Sequence, residues 1–102
     1  MSLPNDEFVS LRCSIQRALL GRIVPSMRVV TAEVTPQTRA VRVFFERPPN
    51  TEELELLNEA DTEMLADYPD NKISLTIITL PPPAMVPKDQ GIWVYARYEP
   101  TS

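Results

Sequence analysis

The stretch RAVRVFFERPPNTEELELLNEADTEMLADYPDNKISLTIITL, residues 39–80, decides the fold. It opens as a strand from Arg39 to Glu46, where Val41, Val43 and Phe45 alternate with Arg42, Phe44 and Glu46. Pro48, Pro49 and Asn50 break the strand. Asn50 or Thr51 then caps a helix, with Glu52 and Glu53 in the first turn, where carboxylates suit the positive end of the dipole. Leu56, Leu57, Ala60, Met64 and Tyr68 recur at helical spacing, and Pro69 stops the helix near Tyr68. From Lys72 to Leu80 the alternation returns, with Ile73, Leu75 and Ile77 against Ser74 and Thr76. This strand–helix–strand unit reads as a split βαβ crossover, expected to be right-handed.

Toward the N-terminus, a helix is expected from Asn5 or Asp6 to Leu20, with Phe8, Leu11, Ile15, Ala18 and Leu19 on one stripe. Gly21 suits a left-handed residue just past the helix, and Pro25 prevents continuation. Met27 to Val34 reads as a strand, joined to Arg39–Glu46 by a hairpin loop at Thr35–Thr38. Toward the C-terminus, Pro81 to Gln90 holds four of the eleven prolines and is expected to be stiff and extended. A last strand runs from Ile92 to about Glu99, with Ile92, Val94, Ala96 and Tyr98 alternating with Trp93, Tyr95 and Arg97. The order α-β-β-α-β-β implies an α+β two-layer sandwich. Its four-stranded sheet is expected to be mainly antiparallel, with both helices on one face, ferredoxin-like in layout.

At 102 residues the chain is read as one domain, residues 1–102. With 43% hydrophobic and 24% charged residues it is neither a disordered chain nor a membrane span. Histidine is absent, which removes the commonest general base and metal ligand. With only Gly21 and Gly91, a glycine-rich phosphate loop is out of reach. The lone Cys13 excludes an intrachain disulfide and is expected to be a packed or half-buried thiol. The N-terminal residues show no basic segment of an export signal, so the cytoplasm is the expected compartment. Carboxylates Glu59, Asp61, Glu63 and Asp67 offer no convergent metal site and read as a solvated face. No catalytic residue, metal or cofactor is therefore expected, and the chain is read as non-enzymatic.

Charge is divided along the chain. Residues 1–47 carry seven basic and four acidic side chains; residues 48–102 carry three and ten. The net charge of −4 argues against nucleic acid as a partner. On the second helix Glu55, Glu59 and Glu63 fall at i, i+4 and i+8 with Glu52 beside them. Like charges at that spacing repel, so the ridge is either a solubility face or a docking surface for a basic partner. A second surface is the sheet face away from the helices. If Val41, Val43, Ile92 and Val94 face the helices, then Arg42, Phe44, Trp93, Tyr95 and Arg97 face outward. Trp, Tyr and Arg dominate interface hot spots, and aromatics with arginines on an open sheet also bind RNA. The alternative is that the Pro-rich loop covers this face, or that the register slips by one.

Three segments, Leu20–Val30, Thr62–Pro69 and Trp93–Glu99, give the chain a family likeness over most of its length. It resembles small bacterial immunity proteins of contact-dependent growth inhibition systems. The resemblance implies a non-enzymatic cytoplasmic protein that binds and neutralises a cognate toxin domain. Such toxins are often nucleases with basic active sites, which an acidic binder suits. The rival readings are a homodimer that uses the open sheet face and, less favoured, a small RNA binder. Asp67 is expected to pair with Arg28, Arg42 or Arg97, and the sequence does not choose among them.

Overall fold

The computed structural model describes residues 4–70 and 72–99. Helix α1 spans Pro4–Leu19, and it buries Leu11, Ile15, Ala18 and Leu19, with Phe8 half-buried on the same stripe. Gly21, at φ 75°, turns the chain out of the helix in the left-handed region that favours glycine. Strands β1 (Met27–Val34) and β2 (Arg39–Phe45) pair antiparallel across the Thr35–Thr38 loop. Helix α2 (Thr51–Asp67) begins with a complete capping box. The Asn50 side chain accepts from the Glu53 backbone N–H at 2.8 Å, and the Glu53 carboxylate accepts from the Asn50 N–H at 2.9 Å. Leu57, Ala60 and Met64 are buried and Tyr68 packs beside them, as the spacing expects, whereas Leu56, expected on the same stripe, is only half-buried and stands outside the core cluster. Strands β3 (Ile73–Thr79) and β4 (Ile92–Ala96) complete the sheet.

The sheet order is β3-β2-β1-β4. It is mixed rather than mainly antiparallel, because β2 and β3 are parallel neighbours. The β2–α2–β3 unit therefore pairs its strands directly, with no strand inserted between them. The sequence reading failed here because alternation identifies a strand but not its neighbour. Both helices pack on one sheet face. Their core stripes join Met27, Val30, Ala32, Val41, Val43, Phe45 and Ile73 in one apolar cluster.

The other face is not open. Val29 and Phe44 form a second small core with Val86 of the Pro-rich segment, joined by Ile78 and Leu80. Phe44 is only 2% exposed, so it is a core residue and not part of an outward aromatic face. Arg28 pins this cover: its Nη1 donates to the Leu80 and Ala84 carbonyls, each at 2.8 Å. Gly91, at φ 102°, leads into β4 where a Cβ would lie 2.8 Å from the Ala32 carbonyl oxygen.

The edge strand β4 departs from simple alternation. Val30 pairs with Tyr95 while Thr31 pairs with Trp93, so the register shifts at Val94. A bulge of this kind adds a residue and reverses the faces beyond it. Residues opposite one another share a face. Trp93 therefore lies outward with Thr31, whereas Tyr95 lies with Val30 and packs on the helix-side core beside Val94. Ile92, expected inward, is 59% exposed. The strand ends at Ala96 rather than Glu99, though the Arg97 N–H still donates to the Arg28 carbonyl.

Candidate functional site

The acidic side of α2 is partly consumed in holding α1. Arg22 donates through Nη1 to Glu63 at 2.9 Å and to the Ala18 carbonyl at 2.8 Å, and through Nε and Nη2 to Glu59 at 3.4 Å. One turn further along, Asp67 accepts from Ser14 Oγ at 2.6 Å and Arg17 Nη2 at 3.0 Å. Asp67 thus pairs with none of the three arginines expected. Those sit elsewhere in the fold, while Ser14 and Arg17 lie on the α1 surface that meets α2. Glu59 and Glu63 belong to this interhelical seam, and the like-charge repulsion along the ridge is relieved by Arg22. Among the described residues Glu52 and Glu55 make no ion pair; both are exposed. They are the part of the ridge that remains available.

Glu53 has a different task. Buried at the start of α2, it accepts from Ser26 Oγ at 2.6 Å and from Arg47 Nη1 and Nη2 at 2.8 and 3.0 Å. The Arg47 guanidinium above all, then Ser26 and the Asn50 N–H, hold its carboxyl down to about 2. Its partners fix the loop before β1 and the end of β2 to the helix start.

On the outward sheet face the arginines are also committed. Arg42 donates to the Gln90 carbonyl at 2.9 Å and pairs with Glu33 at 3.3 Å. Arg97 pairs with Glu46 and with Glu99, and also donates to the Pro25 carbonyl. Of the five side chains expected outward, Phe44 is covered, Tyr95 turns inward, and Arg42 and Arg97 are tied down. Trp93, 40% exposed, is the one left with a large accessible surface.

Exposed apolar side chains absent from the sequence reading include Leu20 (75%), Ile23 (46%) and Met85 (80%), and Tyr98, expected on the apolar side of the last strand, lies beyond the end of β4 and is 87% exposed. Leu20 and Ile23 flank the Gly21 helix stop, and a non-polar residue placed next to a turn was the available signal. Cys13, expected packed or half-buried, is exposed on α1. A polar cleft beside the Thr35–Thr38 loop, with Glu7, Asp70 and Lys72, is crossed by Arg39, which pairs with Asp70 and Glu7 at 3.3 Å each. Its charges are matched internally. Among the described residues no three His, Cys, Asp or Glu side chains are placed to hold a metal ion. No described helix is long and apolar enough to cross a membrane.

The model of the MafI2 immunity protein family matches residues 9–99, from the first helix to the pairing of Glu99. The chain belongs to this immunity protein family. The matched span contains the α2 core stripe, the α1 stripe from Leu11 onward, all four strands, the Arg22 seam and the Arg28 clamp. The likeness to immunity proteins seen in the three segments is thereby shown, and the MafI2 proteins are the family concerned. No curated protein matches the chain. A solved chain described under the mode of action of CzrB, a candidate zinc transporter, is 18% identical with a TM-score of 0.48. That match covers 78% of this chain and 98% of the other.

Proposed function

We propose that this MafI2-family chain binds a cognate toxin domain and neutralises it by occlusion, without catalysis of its own. The observation that carries this reading is the family match over residues 9–99. The lack of histidine in the sequence supports a binding role over an enzymatic one. The net charge of −4, together with exposed Glu52 and Glu55 that make no ion pair among the described residues, supports a basic toxin surface, as a nuclease presents. The resemblance of Leu20–Val30, Thr62–Pro69 and Trp93–Glu99 to growth-inhibition immunity proteins supports a toxin delivered by cell contact and met in the cytoplasm. Two surfaces are accessible for the toxin: the Glu52–Glu55 end of α2, and the β4 edge at Trp93.

The test is co-expression. Bacteria induced to make the toxin domain encoded beside this chain should stop growing, and should grow normally when the chain is made with it. The purified pair should also co-elute in gel filtration. Growth arrest that persists despite abundant folded chain would reject the proposal.

A further inference from the structure

Strand β3 is an edge of the sheet, and its outer side has no strand beside it among the described residues. Two hydrogen bonds fix which of its backbone groups are left over. The Arg39 N–H donates to the Lys72 carbonyl at 2.9 Å, and the Leu80 N–H donates to the Phe45 carbonyl at 2.8 Å. Successive residues of a strand present N–H and C=O to opposite sides, so Ser74, Thr76 and Ile78 bond β2. Ile73, Leu75, Ile77 and Thr79 present theirs to the open side. Edge strands are normally guarded by charge, proline, bulges or shortness. At the other edge β4 has five residues and a bulge. Strand β3 has seven residues without a charge or a proline, and its register against β2 is unbroken.

The helix above extends this open ground. Helix α1 lies over β1 and α2 over β3. Through Glu63 and Asp67, α2 turns one side to α1 and the loop after it, while Leu57, Ala60 and Met64 face the sheet. Leu54, Asp61 and Leu65 come next around the helix, on the flank away from α1. That flank overhangs the free edge. Leu54 and Leu65 are 40% and 37% exposed, and Leu75 and Ile77 on the strand are only half-buried.

We infer that the β3 edge pairs with the same edge of a second copy of this chain. The pairing is antiparallel about a two-fold axis normal to the sheet, with Thr76 opposite Thr76. This register sets Ile73 opposite Thr79 and Leu75 opposite Ile77. Residues with free backbone groups then meet only each other, as the hydrogen-bonded pairs of an antiparallel ladder require. A slip of one residue would set them against groups already bonded to β2. Such self-complementarity is what a two-fold interface needs. The helix layer continues as well. Strands about 4.8 Å apart and helices about 8–10 Å apart give each helix two strands to cover. Extending the sheet therefore brings α2 beside its own copy, with Leu54 and Leu65 between them. Asp61 brings like charge to that flank and limits the affinity. The inference goes beyond the immunity reading and does not depend on it. Trp93 lies at the opposite edge of the sheet, so the pairing leaves β4 open.

Sedimentation equilibrium of the purified chain, from about 5 to about 200 µM, should show monomers passing into dimers. Thr76 is exposed on the sheet face that carries Ile78, away from the helices. Thr76→Lys and Thr76→Glu should therefore each keep the circular dichroism and thermal melt of the wild-type monomer. Each alone sets like charges directly opposite at the axis and should weaken the dimer about fivefold or more. An equal mixture of the two variants should dimerise at least as tightly as wild type, because the facing charges are then opposite in sign. Trp93→Ala should dimerise as wild type does. A wild-type chain that stays monomeric at about 200 µM would overturn the inference. So would a dimer that Trp93→Ala disrupts and neither Thr76 variant weakens, which would put the contact on β4. A mixture that fails to recover the dimer would overturn the Thr76 register, and with it the paired edge.

Discussion

Arg28 and Glu99 meet through two parallel hydrogen bonds, Nε to Oε2 at 2.7 Å and Nη2 to Oε1 at 2.8 Å. The arginine is buried in β1, and the glutamate lies three residues past the end of β4. The remaining guanidinium nitrogen holds the carbonyls of Leu80 and Ala84. One side chain thus binds the C-terminal segment and the Pro-rich cover to the centre of the sheet. Bidentate arginine–carboxylate pairs are the strong form of this interaction, and Lys cannot reproduce the fork.

Arg28→Met is expected to lower the unfolding free energy by about 2 kcal/mol in urea titrations, because it removes the fork to Glu99, which keeps only Arg97, and takes the guanidinium donor from the Leu80 and Ala84 carbonyls. Arg28→Lys should recover less than half of that loss. Limited proteolysis should cut first between Pro81 and Gln90 in both variants, since the clamp on that segment is gone. Full stability in Arg28→Lys would show that charge alone, without the fork, holds the cover.

Residue patterning made the elements legible and left their arrangement hidden. The helices were readable because Leu11, Ile15 and Ala18 repeat at helical spacing, as do Leu57, Ala60 and Met64, and every one is buried. The cover over the far sheet face had a signal too. Val29-Val30, Phe44-Phe45 and Ile77-Ile78 are apolar doublets, and a strand with one wet face does not need them. The bulge at Val94 had no such signal, because an extra residue changes neither composition nor strand propensity. It moved Tyr95 from the proposed outer face to the core. The Arg22 seam was hidden for another reason. A helical wheel shows which carboxylates share a ridge, but not which loop brings a guanidinium to them.

Glu53 makes folding depend on pH in a stated direction. Its folded value of about 2 lies below its ordinary 4.5, so it adds stability above the ordinary value. That contribution is complete at neutral pH and is lost as pH falls from about 4.5 toward 2. Glu53→Gln breaks the Arg47 pair and weakens the capping box, and should cost at least about 1 kcal/mol at pH 7. The difference between wild type and variant, followed by urea titration at several pH values, should shrink steadily below pH 4.5. A constant difference down to about pH 2 would show that the carboxylate's charge is not what holds this junction.

The two adjacent carboxylates Glu55 and Glu59 should behave differently despite the same helical ridge. Glu55 has no ion pair among the described residues, so Glu55→Gln should leave the midpoint of thermal unfolding unchanged or slightly raised. Glu59 accepts from Arg22, so Glu59→Gln should lower it. Added salt should narrow the Glu59 effect, because both partners are reached by solvent ions. Identical melts for the two variants would mean that Arg22 rests on Glu63 alone.

Trp93 separates the remaining surface from the core. It pairs with Thr31 on the outward side of β4 and is 40% exposed, although its neighbour Tyr95 turns inward. A buried Trp truncated to Ala costs about 3–5 kcal/mol. At this exposure Trp93→Ala should cost about 1 kcal/mol, and the variant should remain cooperatively folded in urea. Because it is the only tryptophan in the chain, its fluorescence reports this edge alone. Acrylamide should quench it readily in the free protein. If the toxin docks on the Glu52–Glu55 end of α2, quenching should be the same in the complex, and Trp93→Ala should bind within about threefold of wild type. Shielding of Trp93 in the complex, with a loss of about 2 kcal/mol or more on truncation, would place the toxin on the β4 edge instead.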